Sequence, residues 1–301
     1  MHDKSQQIRN LIAIGALYCA AATSSAYAQV GFVLSPARAE LSVKAGEQRS
    51  GSLKVISQSE QPVHLRSDVL DYEIDENATA RYERDIPRER TVSCKNWLTL
   101  NPTEFDIRKN TVLNVSYTLH PPASLTEGSY VCAAGFTTLP NWPGPGPAEG
   151  IGNRAPVNLF ATVFVTIGNP AVTGSIREIK VETVGAKSKT PAGWRAVVVL
   201  QNSGTMYYRP KGTFEVMNAE GAVIEALDFP SLPVLRQRDQ RFIFPLQSAL
   251  SPGSYRIRIR VQVGDRPVQE KFTNFVIDSP SAPKRTAEYP YPVFSTETTL
   301  H

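Results

Sequence analysis

Asn96–Phe136 reads NWLTLNPTEFDIRKNTVLNVSYTLHPPASLTEGSYVCAAGF, and its alternation decides the fold. Leu113, Val115, Tyr117 and Leu119 alternate with Val112, Asn114, Ser116 and Thr118. A period of two puts one apolar and one mostly polar face on a β-strand. Pro121 and Pro122 end it, because proline cannot donate to a β-ladder. Gly128 supplies backbone freedom in the following turn. Tyr130, Cys132, Ala134 and Phe136 then share one face of a second strand. A tyrosine two residues before a core cysteine, just after a turn, is the tyrosine corner of a two-sheet sandwich.

The same punctuation runs outward in both directions. Phe32 to Val43 reads as a strand broken at Pro36, which lets it change sheets. Ala45-Gly46-Glu47 is a turn, Ser50–Ser57 a strand with Leu53 and Val55 inward, and Pro62 opens a third strand. Asn77–Arg90 is a polar hairpin or loop, and Trp97-Leu98 starts a short strand ended at Pro102. Prolines and glycines fill Pro140–Pro156, which marks a connection. In Val157–Ile167, Leu159, Ala161, Val163, Val165 and Ile167 share a face, with Phe160 and Phe164 opposite among Asn158, Thr162 and Thr166. Such a strand is either buried on both faces or offers its second face to a partner.

Beyond a boundary at Gly168-Asn169-Pro170, strands are predicted at Thr173–Val184, Trp194–Gln201, Lys211–Met217, Arg241–Leu246, Tyr255–Val263 and Phe272–Ile277. LSPGSYRIRIRV, from Leu250, echoes LTEGSYVCAAGF, from Leu125, as a repeat at domain scale. Arg256, Arg258 and Arg260 alternate with inward apolar residues and are read as solvating the outer face. The chain is therefore predicted to be all-β, with two immunoglobulin-like β-sandwiches in tandem: 29–168 and 172–278. Residues 279–301 have no periodicity and are read as a disordered tail.

Residues 1–28 read as a secretory signal peptide. Lys4 and Arg9 precede an apolar stretch from Leu11 to Ala22, and Ala26-Tyr27-Ala28 is a cleavage site. Cys19, preceded by bulky Tyr18, is passed over as a lipid anchor. No later segment has the roughly 18 consecutive apolar residues of a membrane span, so no stable membrane insertion is expected. After cleavage, 30 Lys and Arg face 27 Asp and Glu. That balance is too even for nucleic acid. Periplasmic export is expected, with the cell surface as the alternative. The two remaining cysteines, Cys94 and Cys132, suit one disulfide in that compartment. Closing such a loop stabilises by about 3–4 kcal/mol.

No catalytic signature is present: no nucleophile elbow, no His-Glu-x-x-His and no phosphate-cradling glycine loop. Histidine is scarce in the folded part, which removes the commonest general base. Neither an enzyme activity, a cofactor nor a metal is expected. Asp71, Glu73, Asp75 and Asn77 alternate like oxygen ligands, but the turn glycine of a calcium loop is missing. They are read as a solvated strand face entering a turn.

The first sandwich resembles the PapD-like superfamily of periplasmic pilus-assembly chaperones, as a divergent member. The resemblance rests on Ser35-Pro36-Ala37-Arg38, the alternating Glu40-Leu41-Ser42-Val43, and the turn at Ala45-Gly46-Glu47. It continues through Trp97-Leu98-x-Leu100-x-Pro102-x-x-Phe105 and Gly128-Ser129-Tyr130. It implies a chaperone that adds a strand to the incomplete sheet of a secreted, pilin-like β-rich subunit, with contact to an outer-membrane assembly protein. Main-chain pairing gives such a complex its affinity. Arg38 matches the family's carboxylate-binding arginine. Val157–Ile167 matches the donor strand, which implies partner contacts at Phe160, Thr162, Val163, Phe164 and Val165. The family's lysine late in that strand is absent, and Phe164 and Val165 stand in its place. Ile167-Gly168-Asn169-Pro170 replaces the usual aromatic-Arg-Pro ending. The alternative reading is a structural or adhesive envelope protein built of sandwich modules.

Overall fold

The computed structural model describes residues 31–59, 62–87, 92–139, 156–185, 193–246, 250–264 and 266–277. Residues 1–28 and 279–301, and most of the Pro140–Pro156 connection, lie outside the described residues. Among the described residues there is no α-helix, and a single 3-10 turn spans Lys95–Trp97. No helix among them is long and apolar enough to cross a membrane.

The strands in order are β1 (Phe32–Ser35), β2 (Arg38–Val43), β3 (Arg49–Ser57), β4 (Val63–Ile74), β5 (Ala80–Glu83) and β6 (Leu98–Asn101). Next come β7 (Glu104–Ile107), β8 (Val112–Leu119), β9 (Gly128–Thr138) and β10 (Asn158–Ile167). One sheet has the order β1-β3-β8-β6, and the facing sheet has β2-β10-β9-β4-β5 with β7 also on β4. The break at Pro36 does what its sequence implies. β1 pairs with β3, and after Pro36 the chain crosses to pair β2 with β10. Between the sheets lie Leu53, Val55, Leu65, Val115, Leu119, Phe136, Val163 and Val165, all essentially without solvent contact. Burying each such aliphatic or aromatic side chain contributes about 1.5–3 kcal/mol. Cys94 and Cys132 form a disulfide within this core.

The second part comprises β11 (Gly174–Val184), β12 (Gly193–Asn202), β13 (Lys211–Met217), β14 (Val223–Asp228), β15 (Asp239–Pro245), β16 (Gly253–Gln262) and β17 (Gln269–Ile277). A β11-β12-β15 sheet faces a β14-β13-β16-β17 sheet. Phe214 and Phe244 stack at 4.4 Å between ring centroids in the second core. On the outer face, Arg258 pairs with Glu215, Arg260 with Glu270, and Arg256 donates to Asn274. The LTEGSY/LSPGSY echo is structural. The Tyr130 hydroxyl donates to the Thr126 carbonyl at 2.9 Å, and the Tyr255 hydroxyl to the Ser251 carbonyl at 2.8 Å.

One local expectation is narrowed and another changes. The polar stretch after Asp75 is a β4–β5 hairpin, because Asp75 Oδ1 accepts the Asn77 and Thr79 amides at 2.9 and 3.0 Å and closes the turn. Asp71 and Glu73 are not solvated, at 4 % and 3 % exposure. Asp71 accepts from the Ser93 hydroxyl and the Ile86 amide and pairs with Lys95 at 3.3 Å, which is how a buried carboxylate is satisfied.

Candidate partner-binding site

β10 is the element on which every expected partner contact except Arg38 lies, and its two halves differ. β9 pairs with it antiparallel along its whole length, from Asn158↔Thr137 to Ile167↔Gly128. β2 pairs parallel with its second half only, from Thr162↔Arg38 to Ile167↔Val43. The Thr162 amide donates to the Ala37 carbonyl at 3.0 Å, which begins the β2 ladder. Among the described residues, no strand pairs with the other edge of Asn158–Ala161. Among the described residues this unpaired edge is four residues long, set by where Pro36 lets β2 start.

The side chains narrow the expected contacts further. Val163 and Val165 point into the first core at 1 % and 0 % exposure. Phe164, on the opposite face, is equally buried at 1 %. As side chains these three are covered: the chain's own polypeptide lies over both faces of the second half of β10. Thr162 is also buried, and its hydroxyl lies 3.2 Å from that of Tyr82. Phe160 remains half-buried at the open edge.

The covering layer is aromatic. Tyr82 of the β5 hairpin stacks on Phe160 at 4.2 Å with the rings 6° apart. Tyr72 meets Phe164 edge-on at 6.2 Å, and Tyr207 packs on Phe164 at 4.4 Å. Small residues of β9 make the room. A Cβ on Gly135 would stand 2.8 Å from Leu70 Cδ1 and 3.5 Å from the Phe160 ring. With Val131 and Leu235, these residues form a third apolar cluster, between the two sandwiches. Burial raises the phenol pKa of Tyr72 and of Tyr82.

The junction is tied by polar contacts as well. The Ser129 amide donates to the Thr205 carbonyl at 2.9 Å, and the Tyr207 amide donates to Ser129 Oγ at 2.8 Å. The Asn169 amide donates to Glu127 Oε2 at 3.0 Å. Around this seam the charged groups gather. Arg38 stays half-exposed and pairs with Glu40 at 3.1 Å. Glu40 sits opposite Phe164 in the β2–β10 register. Arg209, from the far side of the junction, lies over the Phe164 ring at 5.2 Å. Burial pushes the Tyr207 phenol up to about 12, helped by the Glu40 charge and a hydrogen bond to it. Burial lowers the Arg209 pKa, and the neighbouring Arg38 charge lowers it further.

Arg38 was legible in the sequence; Tyr72, Tyr82, Tyr207 and Arg209 were not. The available signal was Tyr207-Tyr208-Arg209-Pro210, two adjacent aromatics in a non-strand segment that need burial somewhere. Beside the hairpin, a cavity of about 600 Å³ is lined by Glu73, Asp75, Glu76, Glu83, Arg81 and Arg238. Asp75 is held there by Arg81 at 2.9 Å.

No protein-family model and no curated protein matches this sequence. Several solved structures are similar in fold. The class 5 fimbriae chaperone CfaA is 12 % identical, with 82 % of this chain and 100 % of that chain covered and a TM-score of 0.42. The CupB2 chaperone of Pseudomonas aeruginosa is 12 % identical over 81 % of this chain and 100 % of that one, with a TM-score of 0.40. A chain of the CsuC–CsuE chaperone–tip adhesion subunit complex of Acinetobacter baumannii is 10 % identical over 81 % and 97 %, with a TM-score of 0.41.

Proposed function

We propose that this chain is an exported, non-catalytic chaperone-like protein that binds a secreted β-rich, pilin-like subunit by strand addition. The observation that carries this reading is the half-paired β10. Among the described residues Asn158–Ala161 has no strand on one backbone edge, and Arg38 begins the strand that pairs with the rest. An added strand would pair with that edge through its main chain, beside Phe160. In this reading residues 29–168 and 172–278 act as two modules, the leader sends the chain to the periplasm, and an outer-membrane assembly protein receives the complex. The buried second half of β10 favours a competing reading, a spacer or adhesive module with no client. Co-purification from the periplasm separates the two. Retention of a small β-rich subunit that weakens in Arg38→Ala and in Phe160→Lys supports the chaperone. Retention of nothing, or retention indifferent to both changes, overturns it.

A further inference from the structure

Three Asn-x-Ser/Thr triplets occur in the sequence: Asn77-Ala78-Thr79, Asn101-Pro102-Thr103 and Asn114-Val115-Ser116. This is the acceptor pattern of N-linked glycosylation, and a proline at the middle position excludes Asn101. The fold separates the other two. Asn114 lies inside β8 opposite Lys54 of β3, and Ser116 is paired on both sides, with Ser52 of β3 and Asn101 of β6. Val115 between them has no solvent contact and belongs to the first core. Presenting that triplet to an enzyme means pulling a central strand out of its sheet. Asn77, in contrast, is exposed at the tip of the β4–β5 hairpin, and Ala78 after it has a φ of +60°. The bonds that close this tip are local. Asp75 Oδ1 accepts the Asn77 and Thr79 amides, and the Asp75 carbonyl accepts the Ala78 amide at 3.0 Å. The β4–β5 ladder starts behind them, at Ile74↔Ala80. Such a tip opens without disturbing a core.

We infer that Asn77 is an acceptor for N-linked glycosylation in the folded chain and that Asn114 is not. The donor is an oligosaccharide joined through C1 of its reducing-end sugar to a polyprenyl diphosphate. Nδ2 of Asn77 attacks C1, the C1–N bond forms and the C1–O bond to the diphosphate breaks. The amide gives one proton to a base of the transferase, and polyprenyl diphosphate leaves with the electron pair. Thr79 supplies the hydroxyl that such an enzyme reads two residues after the acceptor. Asp75 places a carboxylate two residues before it, where Val112 stands before Asn114. The recess of about 600 Å³ beside the hairpin is lined by Asn77 itself, with Glu76, Glu83, Arg81 and Arg238. It offers the first sugar's hydroxyls both carboxylate acceptors and guanidinium donors. The inference requires export to a compartment that holds such a donor; it does not require a client subunit.

The test uses the folded full chain, made in a host without the donor, with a bacterial single-subunit oligosaccharyltransferase and its polyprenyl-diphosphate-linked oligosaccharide. Intact mass and peptide mapping read the product. The parent should gain one oligosaccharide, on Asn77. Asn77→Gln and Thr79→Ala should each abolish it, Thr79→Ser should retain more of it than Thr79→Ala, and Asn114→Gln should leave it unchanged. A second variant asks whether the fold decides. Val112 is 54 % exposed, so Val112→Asp, combined with Asn77→Gln, gives Asn114 the same preceding carboxylate without touching the core. A synthetic peptide of residues 110–118 with that change should be modified, and the folded variant should not. No product on the parent, or product that survives Asn77→Gln, would overturn the site. Modification of Asn114 in the folded Val112→Asp chain, or refusal of the peptide as well, would overturn the claim that the fold selects between the two triplets. None of these outcomes depends on whether a subunit co-purifies with the chain.

Discussion

The Arg236 guanidinium lies 4.1 Å from the centroid of the Tyr130 ring. Arg236 comes from the stretch before β15, and Tyr130 is the tyrosine corner of the first sandwich. Trp97 meets the same ring in a T-shaped contact at 4.8 Å. Tyr130 is therefore held by its own corner bond, by a core aromatic and by a cation from the second sandwich. A motif that closes one domain is also the surface on which the next one docks.

Gly128 is what lets Arg236 arrive. Its φ is +155°, and a Cβ there would stand 2.0 Å from Arg236 Nη1. Gly253, its counterpart in the repeat, has a φ of +158° but meets nothing nearer than 3.9 Å. Both alanine variants bear the backbone cost of an unfavourable φ, about 1–3 kcal/mol. Only Gly128→Ala must also displace Arg236, which adds about 1–3 kcal/mol as overpacking does. Urea denaturation of the two variants should place Gly128→Ala well below Gly253→Ala. Equal losses would mean that Arg236 moves aside freely.

The paired tyrosine corners give a second comparison. Tyr130 is buried and Tyr255 is partly exposed, yet both donate to the carbonyl four residues earlier. The Tyr130 bond is partly buried and the Tyr255 bond exposed, so Tyr130→Phe should cost about 1–1.5 kcal/mol and Tyr255→Phe about 0.5–1 kcal/mol. Thermal unfolding of both single variants checks the order. A larger effect at Tyr255 would contradict it.

Much of this architecture was readable because sandwich strands announce themselves by period and punctuation. Pro36 marked the sheet switch, Leu53 and Val55 the inward face, and the GSY repeat the second sandwich. β7 and β14 escaped for physical reasons. β7 is four residues long, with Glu104 and Asp106 outward and only Phe105 and Ile107 inward. β14 exposes Val223 and Ile224 at 47 % and 40 %, and a bulge opposite Val216/Met217 breaks its register, so no clean alternation survives. The site was half legible. Arg38 and the open edge of β10 lie on regular strands, where sequence position fixes direction. Tyr82, Tyr207 and Arg209 reach Phe160 and Phe164 from elements distant in sequence, and no local pattern reports such a meeting. The buried Asp71 and Glu73 misled because alternating carboxylates usually face water, and here Ser93 and Lys95 reach inward to Asp71.

Phe164 tests whether the aromatic layer fastens the two sandwiches. It touches Tyr72, Tyr207 and the Arg209 guanidinium and is 1 % exposed. Phe164→Ala should cost about 3–5 kcal/mol, the usual range for emptying a buried aromatic site. The loss should also loosen the junction, so amides at Ser129 and Tyr207 should exchange faster even in conditions where the variant is fully folded. Phe164→Leu, which keeps most of the volume, should restore the exchange pattern more than half-way. Unchanged exchange in Phe164→Ala would show that the backbone ties at Ser129–Thr205 suffice without the ring.

The phenols of this layer predict an alkaline weakness. Tyr207 is pushed from 10.0 up to about 12, first by burial and then by Glu40, and burial likewise raises Tyr72 and Tyr82. A phenol with a raised pKa keeps its proton when folded and sheds it more readily when unfolded. Above pH 10 the unfolded chain therefore binds fewer protons than the folded one, and stability falls as pH rises. The contribution is complete below pH 10 and is lost progressively as pH climbs through the folded value near 12. Urea midpoints measured between pH 8 and pH 11.5 should decline above pH 10 in the parent. Tyr207→Phe removes one of the groups responsible, so its decline should be shallower, although its midpoint at pH 8 is lower because the hydrogen bond to Glu40 is gone. Glu40→Gln leaves the phenol in place but removes the charge that opposes its ionisation, and should fall between the two in slope. Parallel declines in all three proteins would place the alkaline weakness outside this junction, and the buried hydroxyl of Tyr207 would then have to be in easier contact with water than its packing on Phe164 allows.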